Sequence, residues 1–370
     1  MPPSYLRKAG RQPMTKHIFA GASTPKGFVD FFDYIMPLET AGKRYFLKGS
    51  SGSGKSTFIK KVAAGLEARG VDIEKFHCAN DIESLDALFV SSLGLCIIDA
   101  TAPHSHDPKI PIAIDKIIDF AEFIDEQKIL KHLDEIKLLL NEKNMLNEKA
   151  SYYLAATGNI YLAQNKPYEA TLNKRSLNLL IQKWAKLLEP HSKDSSFGTN
   201  RKLFLSAITP DGFTNFTSSY FSNCKVYGLL GETYAGMDAF LSEFRDRANK
   251  RRISTESFYS PFAPERLEYL HLPEAGIAFA AVVSPWGYNG VMEDTIDMRT
   301  IFDAGLLKDI KPGMSADSGK KLLDVSLDAA INSMNASRVL HGKIEKIYAS
   351  AMDFEQMNTA TEKIIKEILR

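Results

Sequence analysis

One run of residues has both the types and the spacing to handle phosphate. Gly49, Ser50, Ser51, Gly52, Ser53, Gly54, Lys55 and Ser56 fill the pattern G-x-x-x-x-G-K-[ST], with Thr57 directly after it. A triphosphate must be surrounded by backbone N–H groups at close range. Side chains at positions 49, 52 and 54 would obstruct that approach, and a helix N-terminus adds partial positive charge. In this geometry Lys55 reaches the β- and γ-phosphates of a nucleoside triphosphate. The Ser56 hydroxyl becomes a Mg²⁺ ligand, and Thr57 lies near the α-phosphate. The flanking residues supply the required elements. Residues 45–47 are a short apolar strand, and residues 58–66 continue at helical spacing until Gly70 closes the helix.

A second strand is expected at residues 73–78, and a third over 93–99 that ends in an acid. An apolar strand delivering Asp99 to the carboxyl edge of a parallel sheet puts a carboxylate on the Mg²⁺ side of the site. The residue after it is Ala100, so a Glu to position the attacking water is missing there. Asp81, Glu83, Asp86 and His104 are the candidates to replace it, since loops at the ends of adjacent parallel strands converge. Each has a plain structural alternative as a cap or a surface residue. His104, His106 and Asp107 have the composition of a metal-ligand cluster. No Cys pair completes it, and a solvated loop accounts for it equally.

The chain repeats itself. Residues 45–104 align without a gap on residues 227–286, with thirteen of sixty positions identical, where residue frequencies alone give about four. Gly49 and Gly54 fall on Gly231 and Gly236, Phe58 on Phe240, Glu74 and Phe76 on Glu256 and Phe258, and Gly94 on Gly276. Thr24-Pro25-Lys26-Gly27-Phe28 recurs as Thr209-Pro210-Asp211-Gly212-Phe213. The differences are chemical. Lys55 is matched by Met237, Ser56 by Asp238, Gly52 by Tyr234 and Asp99 by Ala281. An anion and a bulky ring in the second loop both oppose phosphate, so one nucleotide site per chain is expected.

The fold class that follows is α/β: a tandem duplication of a parallel sheet flanked by helices, each half with a helical appendage. The organisation expected is a flexible tail over residues 1–15, an active half over 16–190 with a helical hairpin at about 115–189, and a linker over 191–200. A degenerate half with C-terminal helices then fills 201–370. Leu133, Ile136 and Leu140, then Leu177, Leu180, Ile181, Trp184 and Leu188, recur at helical spacing and read as core-facing.

The 370 residues carry 46 Lys and Arg against 45 Asp and Glu, a formal charge of +1, which gives no global reason to expect nucleic acid as a partner. Arg245, Arg247, Lys250, Arg251 and Arg252 form a local basic cluster. It reads as a solvated face, or as the source of an arginine finger if that helix faces the first site. Three cysteines, Cys78, Cys96 and Cys224, fit a reducing, cytoplasmic setting better than a disulfide framework. The longest apolar run, residues 277–283, is far short of the roughly 20 residues of a membrane helix.

The two loop segments, with Phe76, His77 and Cys78, Ser84, Leu85 and Asp86, and the stretch from Asp99 to His104, resemble an uncharacterised family of bacterial tandem P-loop ATPase-like proteins. The resemblance implies a P-loop NTPase fold binding ATP or GTP with Mg²⁺. Relatives often keep a second GKS-type loop, which Met237 and Asp238 replace here. The expected function is a slow Mg²⁺-dependent ATPase with one site, with an unknown protein as a possible partner. The alternatives are a small-molecule or nucleotide kinase, and a nucleotide-gated interaction protein with negligible turnover.

Overall fold

The structure, a computed structural model, describes residues 13–38, 41–102, 106–188, 198–283, 285–310 and 316–370. The first half runs β1 (Thr15–Ile18), a hairpin of β2 (Gly21–Thr24) and β3 (Gly27–Asp30), β4 (Lys43–Lys48) and α1 (Lys55–Glu67). It continues with β5 (Ile73–His77), β6 (Leu85–Val90), β7 (Leu95–Asp99), β8 (Asp115–Asp119), α2 (Glu126–Lys131), α3 (Leu133–Ala170) and α4 (Lys174–Trp184). The second half runs β9 (Asn200–Leu203), β10 (Ser206–Thr209), β11 (Gly212–Asn215), α5 (Thr217–Tyr220), β12 (Lys225–Leu230) and α6 (Met237–Lys250). After these come β13 (Thr255–Tyr259), β14 (Leu267–Leu272), β15 (Ile277–Val282), β16 (Asp294–Asp297), α7 (Ala304–Ile310), α8 (Ala316–Ala351) and α9 (Phe354–Ile368).

Each half holds one six-stranded sheet, in the orders β1-β5-β6-β7-β4-β8 and β9-β13-β14-β15-β12-β16. The orders coincide, strand for strand, across the repeat. Even the irregularity is repeated: a register shift at Phe76/His77 recurs at Phe258/Tyr259. The repeated Thr-Pro-x-Gly-Phe segments make the same turn. The Thr24 and Thr209 hydroxyls donate to the Gly27 and Gly212 carbonyls at 2.7 and 2.8 Å. The chain is therefore a duplicated α/β unit. The expectation of a parallel sheet needs correction, because β6 and β14 run antiparallel to both neighbours. Residues 78–84 and 91–94 are too short for the crossover of about a dozen residues that a parallel neighbour requires. A second correction concerns residues 115–119, which form edge strand β8 beside β4 rather than the start of a helix. Residues 1–12 of the expected tail and 191–197 of the expected linker lie outside the described residues, while Thr15 already opens β1 and Asn200 opens β9.

The halves meet about a pseudo-two-fold axis. Phe19 and Phe204, equivalent residues just beyond β1 and β9, exchange backbone hydrogen bonds of 3.0 and 3.1 Å with each other. The long helices α3 and α8 lie antiparallel, with the Thr157 hydroxyl donating to Ser326 and the Ser337 hydroxyl to Asn147.

The appendages are exchanged between halves. On α4, Leu177, Ile181 and Trp184 bury against Tyr227, Phe240 and Phe279 of the second half, the Trp184 and Tyr227 rings meeting edge-on at 5.3 Å. On α9, Met357, Ile364, Ile365 and Ile368 bury against Phe58, Val62 and Leu47 of the first. The remaining sheet faces share a core in which Phe46, Phe76 and Ile98 join Val226, Phe258 and Tyr269. In the first turns of α3 Ile136 and Leu139 turn inward, while Leu133 and Leu140 face solvent, against the expectation that Leu133 and Leu140 face a core. Among the described residues no helix is long and apolar enough to cross a membrane.

Ile181 is fully buried on the exchanged α4. Ile181→Ala is expected to cost about 2–5 kcal/mol and to raise amide exchange first in β12 and β15, not in β4 and β7. Loss of protection confined to the first sheet would refute the exchanged packing.

Candidate functional site

The glycine loop joins β4 to α1 at the carboxyl edge of the sheet, and Gly52 and Gly54 adopt the left-handed φ values of +76° and +94° that let it curl. The first intrahelical bond runs from Phe58 N–H to the Gly54 carbonyl at 2.9 Å. The N–H groups of Lys55, Ser56 and Thr57 therefore have no intrahelical acceptor and point out of the helix start. Lys55 curls back over this start. Its Nζ donates to the Gly49 and Ser50 carbonyls at 2.8 and 2.7 Å and lies 3.7 Å from Asp99 Oδ2. Burial depresses its pKa, opposed by the charges of Asp99 and Glu345. The Ser50 and Ser53 hydroxyls are buried without a hydrogen-bond partner. Unpaired buried hydroxyls beside unpaired helix N–H groups are the donor set that an anion satisfies.

Asp99 sits at the end of β7 in register with Leu47 of β4. Its Oδ1 accepts from the Thr101 N–H at 3.1 Å and from the Thr101 hydroxyl, leaving Oδ2 toward Lys55. Ser56 Oγ accepts the Leu85 N–H at 3.0 Å and retains a second lone pair. The donor set of Ser56 with Asp99 fits a hard divalent cation that keeps most of its water.

The four candidate bases separate. Asp81 is committed to its own turn, accepting from the Ser84 hydroxyl at 2.6 Å and the Glu83 N–H at 3.3 Å, and Glu83 is exposed. His104 lies outside the described residues. Asp86 is buried beside the Lys55 and Asp99 pair. Burial, followed by the Asp99 charge, pushes its carboxyl up to about 8 against a hydrogen bond from Cys78. His106 Nε2 is 3.6 Å from Asp30, and Asp107 is 3.3 Å from Lys48. Among the described residues no group of three or more His, Cys, Asp or Glu is arranged to hold a metal ion.

The exchanged helices roof the loop. A Cβ at Gly52 would lie 2.5 Å from the Glu345 carbonyl of α8, and one at Gly54 would lie 3.0 Å from Met357 Cε of α9. Ser51 Oγ is 3.1 Å from His341 Nε2, while His341 Nδ1 is buried without a partner. Burial and the Lys143 and Lys55 charges push His341 down to about 4, so it is neutral at pH 7. Reading the sequence missed His341, Glu345 and Lys143. Nothing in their spacing marks them: His341 and Glu345 reach the loop from α8, almost 300 residues away, and Lys143 from α3, about 90 residues away.

The second loop keeps the backbone and changes the chemistry. Gly236 is again left-handed at the start of α6, but the buried Met237 lays its methyl against Gly231, where a Cβ would meet it at 2.8 Å. Asp238 Oδ1 accepts the Leu267 N–H at 2.8 Å, the bond Ser56 accepts in the first half. Tyr234 fills the loop and meets Tyr161 of α3 at 5.7 Å. Glu268, the counterpart of Asp86, is raised to about 7 by burial, against hydrogen bonds from Ser260 and Ser206. A buried acid thus recurs in both halves, but only Asp86 has a lysine and a second carboxylate beside it.

On α6, Arg245 pairs with Asp246 and Arg247 with Glu243, both at 2.8 Å, and Arg251 donates to the Ala185 and Leu188 carbonyls. These engagements tie the basic cluster to its own helix and to the end of α4. They fit the reading of the cluster as a solvated face and not the conditional one of a finger on the first loop. Comparison with protein-family models, with curated proteins and with solved structures finds no match to this chain.

The unfolded chain ionises Asp86 near 3.8 and the folded chain near 8, so folding is progressively disfavoured as pH rises through that window. Asp86→Asn lacks this penalty. Its melting temperature minus that of the wild type is expected to grow from pH 5 to pH 8.5, whereas a constant difference would mean that Asp86 is ionised throughout.

Proposed function

We propose that the first half binds Mg²⁺ with a nucleoside triphosphate, ATP in the first instance, and hydrolyses it slowly. The observation that carries this reading is the glycine loop itself. Lys55 is drawn against its carbonyls, its Ser50 and Ser53 hydroxyls are unpaired, and Asp99 is 3.7 Å from the lysine. The loop N–H groups and Lys55 would hold the phosphates, with Ser56 and Asp99 on the cation side. The cation, when bound, neutralises phosphate charge. Ala100 follows Asp99 where a water-positioning Glu would stand, and among the described residues Asp86 is the buried carboxyl beside the pair, which supports low basal turnover. The resemblance to tandem P-loop ATPase-like proteins points the same way.

The second half is proposed to be silent toward nucleotide. Met237 supplies a methyl where Lys55 supplies an ammonium, and Asp238 supplies an anion. A second reading, a nucleotide-gated interaction protein, is favoured by the roof, since the α8 backbone rests directly on Gly52. On that reading turnover is negligible and the roof position is the output.

Titration with fluorescent ATP and Mg²⁺ is expected to show one site per chain. Lys55→Ala should weaken it roughly tenfold to a hundredfold, the worth of hydrogen bonds to a charged group at about 1.5–3 kcal/mol. Two equivalent sites, or binding indifferent to Lys55→Ala, would defeat the proposal. ADP formed only with an added acceptor would assign a kinase instead.

A further inference from the structure

The second half holds a nucleophile, a base and an orienting carboxylate in line, remote from the glycine loop. Cys224 Sγ lies 3.3 Å from His271 Nε2, and His271 Nδ1 lies 2.7 Å from Glu256 Oε2. Glu256 also accepts from the Tyr220 hydroxyl at 2.6 Å and from Arg201 Nη1 at 2.8 Å. Burial opposes its charge, but the His271 hydrogen bond and the Lys16 and Arg201 charges outweigh it and hold Glu256 well below the usual carboxylate range. An ionised Glu256 can only accept, so Nδ1 carries a proton and Nε2 faces the thiol, free to take its proton when the ring is neutral. Burial alone would lower His271, yet its bonds to Cys224 and Glu256 raise it to about 8.

The thiol is reachable. Cys224 is half-buried and lines a cleft of about 400 Å³ with Phe221, Tyr288 and Met292, and with Lys225 and Glu293 at its rim. The other two cysteines differ. Cys96 is wholly buried, and Cys78, half-buried like Cys224, is hydrogen-bonded to Asp86, with burial and the Asp86 charge pushing its thiol up. The arrangement belongs to the second copy alone. At the matching positions the first copy has Gly42 for Cys224 and Phe89 for His271, although Glu74 matches Glu256.

We propose that Cys224, with His271 as its base and Glu256 as the positioning residue, is a thiol–disulfide exchange site for low-molecular-weight disulfides. Acyl transfer fits less well, because it needs free donors for an oxyanion. The Cys224 N–H donates to the Phe221 carbonyl at 3.0 Å and the Lys225 N–H to the Gly276 carbonyl at 2.8 Å. Substitution at sulfur needs no such donors. His271 Nε2 takes the Cys224 proton as the sulfur attacks one sulfur of R–S–S–R. The S–S bond breaks, a Cys224–S–S–R bond forms, and the leaving thiolate takes the proton from His271 to depart as RSH. A second RSH reverses the step and restores the thiol.

The test is oxidised glutathione added to the full-length native chain, with adducts located by peptide mass. Cys224 is expected to be the residue modified, at least fivefold faster than the same cysteine in the denatured chain. His271→Gln, with its fold checked by circular dichroism, is expected to slow the adduct at least fivefold while ATP binding is unchanged. A native rate at or below the denatured rate overturns the proposal even if the variant does not fold. So does an adduct at Cys78 or Cys96 in preference to Cys224, or a folded His271→Gln that reacts as fast as the wild type.

Discussion

Everything in this molecule depends on how the outer apolar face of each sheet is covered. Tyr45 and Leu47 with α1, and Tyr227 and Leu229 with α6, present aromatic and aliphatic surface that one flanking helix cannot bury. Burial is favoured at about 25 cal/mol per Å² of apolar surface, and the chain supplies the missing layer from the far half, α9 to the first sheet and α4 to the second. The antiparallel pairing of α3 with α8 is what carries each short helix across. Exchange of this kind is how identical protomers interlock. Here one chain holds both copies, so the exchange is intramolecular and neither half has a complete outer layer alone.

The axis between the copies is also electrostatic. Arg201 of β9 donates to Glu74 of the first half and Glu256 of the second, at 2.9 and 2.8 Å, and Lys16 lies 3.7 Å from Glu74. Removing one member would leave a buried charge without its partner, the costly way to disturb such a group. The carboxylate that orients His271 thereby shares Arg201 with Glu74 of the first half, so the thiol site and the interface share one ion network.

The glycine loop, with its flanking strand and helix, was legible because its signal is local. Backbone N–H groups, Lys55 and Ser56 lie within eight residues, and the flanking strand and helix follow from their own periodicity. The duplication was legible because Gly54 and Gly236, or Phe76 and Phe258, must recur wherever the same turn or core recurs. The antiparallel β6 was not, since a buried apolar run such as residues 85–90 has no direction in it; only the short loops on either side fix its sense. The helix exchange was not either, because an amphipathic stripe such as Leu177, Ile181 and Trp184 says that a partner exists and not which sheet provides it. His341 and Glu345 were invisible for the same reason. The Cys224 and His271 pair was hidden by the repeat, which directs attention to matching positions, whereas this pair arises where the copies differ.

The central claim is that the glycine loop proposed to bind nucleotide is roofed by helices of the other half, so that ligand at the loop is felt across the duplication. Amide hydrogen exchange over α8 with and without Mg²⁺ and ATP tests it most directly. The account predicts at least a tenfold change in exchange around residues 338–346, with α4 unaffected. A change confined to residues 49–57 and their neighbours in the first half, with α8 exchanging identically in both states, would contradict it.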